Sequence, residues 1–328
     1  MTRTASLCTA SAAVVVALAV VGLVVGDFPV PAREAIATAI WERGGEFDFV
    51  INTLRFPRVT VAVLAGICLA VSGALFQALI DNPLVSPDII GIDTGAAAFA
   101  VAILAIGLDT QWLPYAAFTG AVGTAALIFV LSWRRGFSGG RLVLVGIGIN
   151  ALLTAMITYL LVRFPIERVS AAARWQAGTL SSSSWGDART LAIGLVVLLP
   201  VAFLLIRRLR VMQLGDDMAI ALGVGLEPSR FVVIIVGCGL AAVVVAVVGP
   251  LGFVALLVPH AARALAGTGT LSGGVLLLTA LLGAVMLLSA DLVAQRLFAP
   301  TVLPAGVVTA AMGGPYLLFV LRRFNRAA

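Results

Sequence analysis

Ten apolar runs follow one another along the chain with little between them, near residues 8–26, 58–80, 93–108, 113–132, 141–162, 188–206, 231–248, 251–267, 272–298 and 303–321. A helix needs about 20 apolar residues to cross a bilayer. In hydrocarbon, every backbone N–H and C=O must be satisfied inside the protein, so helices are the economical solution. The pattern predicts an all-α polytopic membrane protein with about ten transmembrane helices, the third and eighth short, forming a single transmembrane domain over 1–328. Of the 328 residues 61% are hydrophobic and 11% charged, against about 25% charged in soluble domains, so no large water-facing domain fits. The first run follows Arg3 but is longer than the ~7–15 apolar residues of a signal peptide, and it reads as a retained anchor.

Residue absences narrow the function. All 21 basic residues are Arg, there is no Lys, and His260 is the only histidine. A phosphate-binding loop ending in Gly-Lys-Ser/Thr is impossible without its lysine, as is Schiff-base chemistry. Zinc-protease sites and most Ser-His-Asp arrangements need histidines at fixed geometry. The chain therefore reads as non-catalytic, with no metal or cofactor of its own. Cys8, Cys68 and Cys238 form no CxxC pair and read as small core residues. The formal charge of +6 comes from arginines at the edges of apolar runs, which points to membrane topology and not to nucleic acid.

Those arginines orient the chain. Arg134, Arg135 and Arg141, then Arg207, Arg208 and Arg210, then Arg263, and finally Arg322, Arg323 and Arg326 fall on one side of the ten spans. The excess of Lys/Arg in cytoplasmic loops puts this side, with both termini, in the cytoplasm. Opposite segments mix arginine with acids: Asp27, Glu34, Glu42, Glu46, Asp48, Glu167 and Asp187. Residues 29–41, entered through Pro31, can form an interfacial helix, and Trp175 and Trp185 within 170–185 suit a membrane–water boundary. A faint echo links Arg55-Phe56-Pro57-Arg58, Asn82-Pro83 and Gly91 with Pro228-Ser229-Arg230, Gly249-Pro250, Pro259-His260 and Gly267. It suggests an inverted repeat of helices 2–5 and 7–10, a transporter device.

A carrier driven by protons or sodium needs ionisable groups at mid-membrane. Deep in the spans stand only Asp291 and His260, each near enough to a span end to pair locally, so energy should enter from a partner. The segment 212–230 is the candidate contact. Its run Gly215-Asp216-Asp217-Met218-Ala219-Ile220-Ala221-Leu222-Gly223 predicts a short helix capped by Asp216 or Asp217 and ended by Gly223 or Gly225. A groove on a soluble motor domain would accept it; an ordinary surface helix is the alternative.

Five strings resemble one family in order: Leu54-Arg55-Phe56-Pro57-Arg58; Ser72-Gly73-Ala74-Leu75-Phe76-Gln77 leading to Asn82-Pro83-Leu84; the Gly215–Gly223 loop; Gly249-Pro250-Leu251-Gly252-Phe253 with Val258-Pro259-His260; and Leu303-Pro304-Ala305-Gly306-Val307-Val308-Thr309. They resemble the FecCD family, permease subunits of bacterial type II ABC importers for iron–siderophore complexes, haem and cobalamin, over residues 50–323. The resemblance implies a cobalamin-permease-like fold and a second FecCD-type permease subunit, a heterodimer favoured over a homodimer. It also implies two ATP-binding subunits holding ATP and Mg, and an extracytoplasmic siderophore-binding protein, all at the bacterial cytoplasmic membrane with its lipid. It makes Gly215, Asp216, Asp217, Ala219, Leu222 and Gly223 the ATPase-coupling helix. Arg55 and Arg58 match family arginines that pair with acids of the binding protein, with headgroup anchoring as the alternative. In Ala290-Asp291-Leu292-Val293-Ala294-Gln295-Arg296 the place of a third docking arginine is taken by Gln295, and Arg296 lies about 100° round the helix. Val302 also stands where many relatives carry an acid. Asn82, Leu84, Ser138 and Gly139 match the family's cytoplasmic gate, with simple turn duty as the alternative, and His260 reads as structural. The stretch Arg174–Leu180 leans the implied cargo towards an iron–siderophore complex. Haem or cobalamin import, or a solitary secondary carrier, are the competing readings.

Overall fold

The computed structural model describes residues 2–26, 28–41, 44–133, 138–299 and 301–324. Of the residues used to orient the chain, Asp27, Glu42, Arg134, Arg135 and Arg326 lie outside these, as do the side chains of Glu167 and Arg323. All regular structure among the described residues is helical: α1 (Thr2–Val24), α2 (Ala32–Ile40), α3 (Phe56–Ile80), α4 (Pro87–Ile90), α5 (Ile92–Ala105), α6 (Leu113–Ser132), α7 (Gly139–Arg163), α8 (Ile166–Gln176), α9 (Trp185–Met212), α10 (Asp216–Ala221), α11 (Leu226–Val248), α12 (Val254–Ala266), α13 (Gly273–Arg296) and α14 (Ala305–Phe324), with a π-helical entry to α3 over Phe49–Arg55. Seven helices are long and apolar enough to cross a membrane, and three shorter apolar stretches, Ile92–Ala105, Val254–Ala266 and Ala305–Leu318, accompany them.

Local chemistry starts and stops these helices. Pro31 precedes α2 and Pro57 stands in the first turn of α3, where a missing N–H costs nothing. At the start of α9, Ser184 and Asp187 form a capping box: the Ser184 hydroxyl accepts from the Asp187 N–H at 3.3 Å and the Asp187 carboxylate from the Ser184 N–H at 2.8 Å. Helix α9 then runs on through Arg207, Arg208 and Arg210 to Met212, six residues past the apolar run. Leu205, Ile206 and Leu209 are buried among those arginines, so packing on one side carries the helix beyond the hydrophobic stretch.

Helix α3 is the axis of the molecule, packed by α13, α11, α12 and α9. Glycine makes its closest crossings possible. A Cβ on Gly66 would lie 2.3 Å from the Gly283 carbonyl oxygen, and one on Gly283 2.2 Å from that of Gly66. A Cβ on Gly73 would lie 1.8 Å from the Ala255 oxygen. Lipid supplies no hydrophobic drive between helices, so backbones that approach closely gain their stability from van der Waals contact. Buried polar groups here are bonded, as a bilayer demands: Ser72 Oγ donates to the Gly237 carbonyl at 2.6 Å and Gln77 Nε2 to that of Leu256 at 2.9 Å.

A second group, α5 to α8, packs around the contact of Gly95 with Gly120 and Thr124, and α11 touches both groups. Beyond α3 the chain turns at Asp81 (φ 53°) and Gly91 (φ 102°). There the Asp88 carboxylate accepts from the Phe253 N–H, at the start of α12, at 3.3 Å. The short helices α4, α5 and α12 thus begin from one place inside the protein.

Candidate functional site

The residues singled out from sequence fall at the two ends of α3, about 36 Å apart for 24 steps of 1.5 Å. At its C-terminal end lies α10. Its N-cap is Gly215 (φ 102°), and neither aspartate caps it. Asp216 sits in the first turn, where the helix dipole favours an acid, and its carboxylate takes a 2.6 Å bond from Arg230, at the start of α11, instead. Arg230 also reaches Glu227 at 3.7 Å. The far end closes as a Schellman motif: the Val224 N–H donates to the Ala219 carbonyl and that of Gly223 (φ 79°) to Ile220, both at 2.9 Å. Ala219 is buried, Asp217 is exposed, and Leu214, Met218, Ile220 and Leu222 stand out from the surface. An apolar face is thereby held rigid with no partner inside the chain.

The constriction residues surround this helix. Ser138 and Gly139 share a cavity of about 320 Å³ with Ile80, Asp216 and Arg230, and a Cβ on Gly139 would lie 2.9 Å from the Ile80 side chain. Asn82 is exposed, and its Oδ1 accepts from the Leu84 N–H at 2.9 Å, an Asx turn. Asn82 lines a neighbouring cavity of about 390 Å³ with Gln77, His260 and Arg263. Leu84 is half-buried. Arg263 Nη2 donates to Gln77 Oε1, and the His260 ring meets Tyr316 edge-on with centroids 6.1 Å apart.

At the other end of α3, the two arginines of the Arg-Phe-Pro-Arg string are engaged within the chain. Arg55 donates to the carbonyls of Leu23, at 2.7 Å, Val24 and Phe28, closing the end of α1. Arg58 makes a two-pronged pair with Asp291 of α13, Nη2 to Oδ1 at 2.8 Å and Nε to Oδ2 at 2.9 Å, with side chains only 16% and 5% exposed. Gln295 Nε2 adds a 2.9 Å bond to the same carboxylate, and Arg296 lies exposed one residue further on. Arg55, Arg58, Asp291 and Gln295 line a cavity of about 300 Å³. Trp185 donates from Nε1 to the Asn52 carbonyl at 2.7 Å and packs edge-on against Phe56.

Sequence reasoning missed the Arg58–Asp291 pair, whose partners are 233 residues apart, and a polar stripe on α7. Thr94 Oγ1 and Asn150 Oδ1 lie 2.6 Å apart, while Thr154 and Thr158, exposed one and two turns on, bond back to the carbonyls of Asn150 and Thr154. The i, i+4, i+8 spacing of hydroxyl and amide groups in a span was the available signal. Among the described residues no group of three or more His, Cys, Asp or Glu could hold a metal ion.

Residues 13–323 match the FecCD transport family. The ferric enterobactin transport system permease protein FepG of Escherichia coli K12 is 40% identical over 306 residues, covering 93% of this chain and 92% of its own. The Fe(3+)-citrate import system permease protein YfmE of Bacillus subtilis 168 is 37% identical, covering 95% and 93%. A solved chain from an inward-facing metal-chelate type ABC transporter superposes with a TM-score of 0.84 at 27% identity, covering 97% of this chain and 99% of that one.

Proposed function

Since the chain belongs to the FecCD transport family, we propose that it is the transmembrane permease subunit of an ABC importer that carries an iron–siderophore complex into the cytoplasm. The observation that carries this reading is α10, an apolar lever fixed to α11 by the Asp216–Arg230 pair and presented beside the constriction residues. Work done on α10 by an ATP-hydrolysing partner is transmitted through Arg230 to α11, and so to the space around Ile80, Ser138 and Gly139. ATP and Mg belong to that partner. The relatives named for ferric enterobactin and Fe(3+)-citrate transport support an iron chelate as cargo.

In this reading the α10 end faces the cytoplasm, in keeping with the exposed Arg207, Arg208 and Arg210. The opposite end receives an extracytoplasmic binding protein at a basic corner, with Arg296 exposed and the half-buried Arg55 and Arg58 behind it. The hydroxyls of Thr154 and Thr158 face a pathway shared with a second permease subunit, because polar groups in a span are tolerated where they meet protein or water. The common origin of α4, α5 and α12 supports the inverted-repeat organisation.

The test is uptake by proteoliposomes holding the complex purified from its host. Ferric siderophore accumulates only with ATP on the α10 side, and Met218→Glu with Leu222→Glu removes the ATPase subunit from the purified complex. Accumulation against a gradient by this chain alone, without nucleotide, overturns the reading.

A further inference from the structure

We propose that the acyl chain of one phospholipid, from the leaflet on the Asp216 side, seats in a groove that α6 and α9 form over α11. The groove has a volume of about 590 Å³ and every lining residue is apolar. Ala125, Ala126 and Gly239 leave its middle open, while Phe118, Phe129, Phe231 and Leu198 wall it. Phe118, Val130 and Phe231 are 40%, 67% and 45% exposed, so the groove opens sideways along helices long enough to cross the bilayer.

Its dimensions select the occupant. The lining runs from Phe118 to Val130 on α6 and from Phe231 to Val243 on α11, about 18 Å along each helix at 1.5 Å per residue. One leaflet of a hydrocarbon core ~30 Å thick is about 15 Å deep, so the groove spans little more than a single leaflet. An α-helix of that length and ~10 Å across occupies roughly 1,400 Å³, more than twice the space available. A slender hydrocarbon chain fits where a protein span does not.

The Asp216-side mouth suits a phosphate headgroup. Phe129 contacts Phe231 at 5.3 Å and Trp133 at 5.1 Å between ring centroids, an aromatic cluster of the kind that marks the membrane–water boundary. The flanking helices end in basic residues: Arg208 and Arg210 are exposed on α9, and Arg141 donates to the Ser132 carbonyl at the end of α6. Phe231 follows directly on Arg230, which holds α10. The bound chain therefore packs against the helix that receives the lever.

The experiment counts phospholipid by native mass spectrometry on the full chain, purified from bacterial membranes with its accompanying subunits and washed extensively in mild detergent. One phospholipid per copy is expected in the wild type and in Leu127→Trp, an exposed α6 position outside the groove, and none in Ala126→Trp, which fills it. No retained lipid in the wild type, or equal lipid in the wild type and Ala126→Trp, overturns the proposal. A photoreactive benzoylphenylalanine placed at Ala126 in the washed complex reports the occupant directly. An adduct of phospholipid mass supports the assignment, and an adduct to a peptide overturns it.

Discussion

Replacing Arg58 with alanine tests whether this arginine holds the fold together before it does anything else. The guanidinium is bound in two places to Asp291, whose side chain is 5% exposed. Its removal leaves that carboxylate with the Gln295 amide alone. Abandoning one partner of a buried ion pair costs about 3–5 kcal/mol, and the ceiling is the cost of neutralising an ordinary aspartate at pH 7, about 4 kcal/mol. Arg58→Ala should therefore lose about 3–4 kcal/mol. Asp291→Leu should lose less, about 1–2 kcal/mol, because the longer arginine can extend its head towards water. The double variant Arg58→Met with Asp291→Leu should return close to wild type, since matched apolar replacements of buried pairs are often neutral. Equilibrium unfolding of the purified chain in detergent, run as a double-mutant cycle, measures all three. An Arg58→Ala protein within about 0.5 kcal/mol of wild type that has nevertheless lost affinity for a binding protein would refute the structural role.

Three further expectations follow from single distances and angles. Gly73→Val should cost about 3 kcal/mol or more in the same unfolding assay, because its Cβ meets the Ala255 backbone; Gly123→Ala, with nothing within 4 Å of its Cβ, should be neutral or stabilising by up to about 1 kcal/mol. Arg230→Ala breaks a pair whose acid is 54% exposed, so stability should change by less than about 1 kcal/mol while ATP-driven uptake falls at least tenfold; parallel losses of both would sink the coupling role. Gly223→Val forces a branched side chain to φ 79° at about 1–2 kcal/mol, and hydrogen exchange should quicken in 216–222 and nowhere else.

The apolar runs disclosed the helices because a bilayer imposes a length that sequence must supply, as the agreement of 113–132 with α6 shows. The family strings marked both ends of α3. What stayed hidden depends on pairing across the chain. Nothing near Arg58 announces Asp291, and one glycine in a span looks like any other until Gly66 and Gly283 are seen backbone to backbone. The acids of α10 looked like caps, a role set by local sequence, but Arg230 offers Asp216 a stronger partner fourteen residues on. The extension of α9 past its apolar run was hidden for the same reason, since Leu205, Ile206 and Leu209 find their partners in tertiary contact.

The glycine crossing restricts how this molecule can change shape. With main chain against main chain at Gly66 and Gly283, and again at Gly73 and Ala255, no side chains lie between α3, α13 and α12 to swap rotamers and let one helix slide over another. These three helices must travel as a single body. Alternation between two openings then has to be absorbed at seams filled by side chains, where α11 meets α6 and α5, and it is along those seams that distance probes should register the stroke.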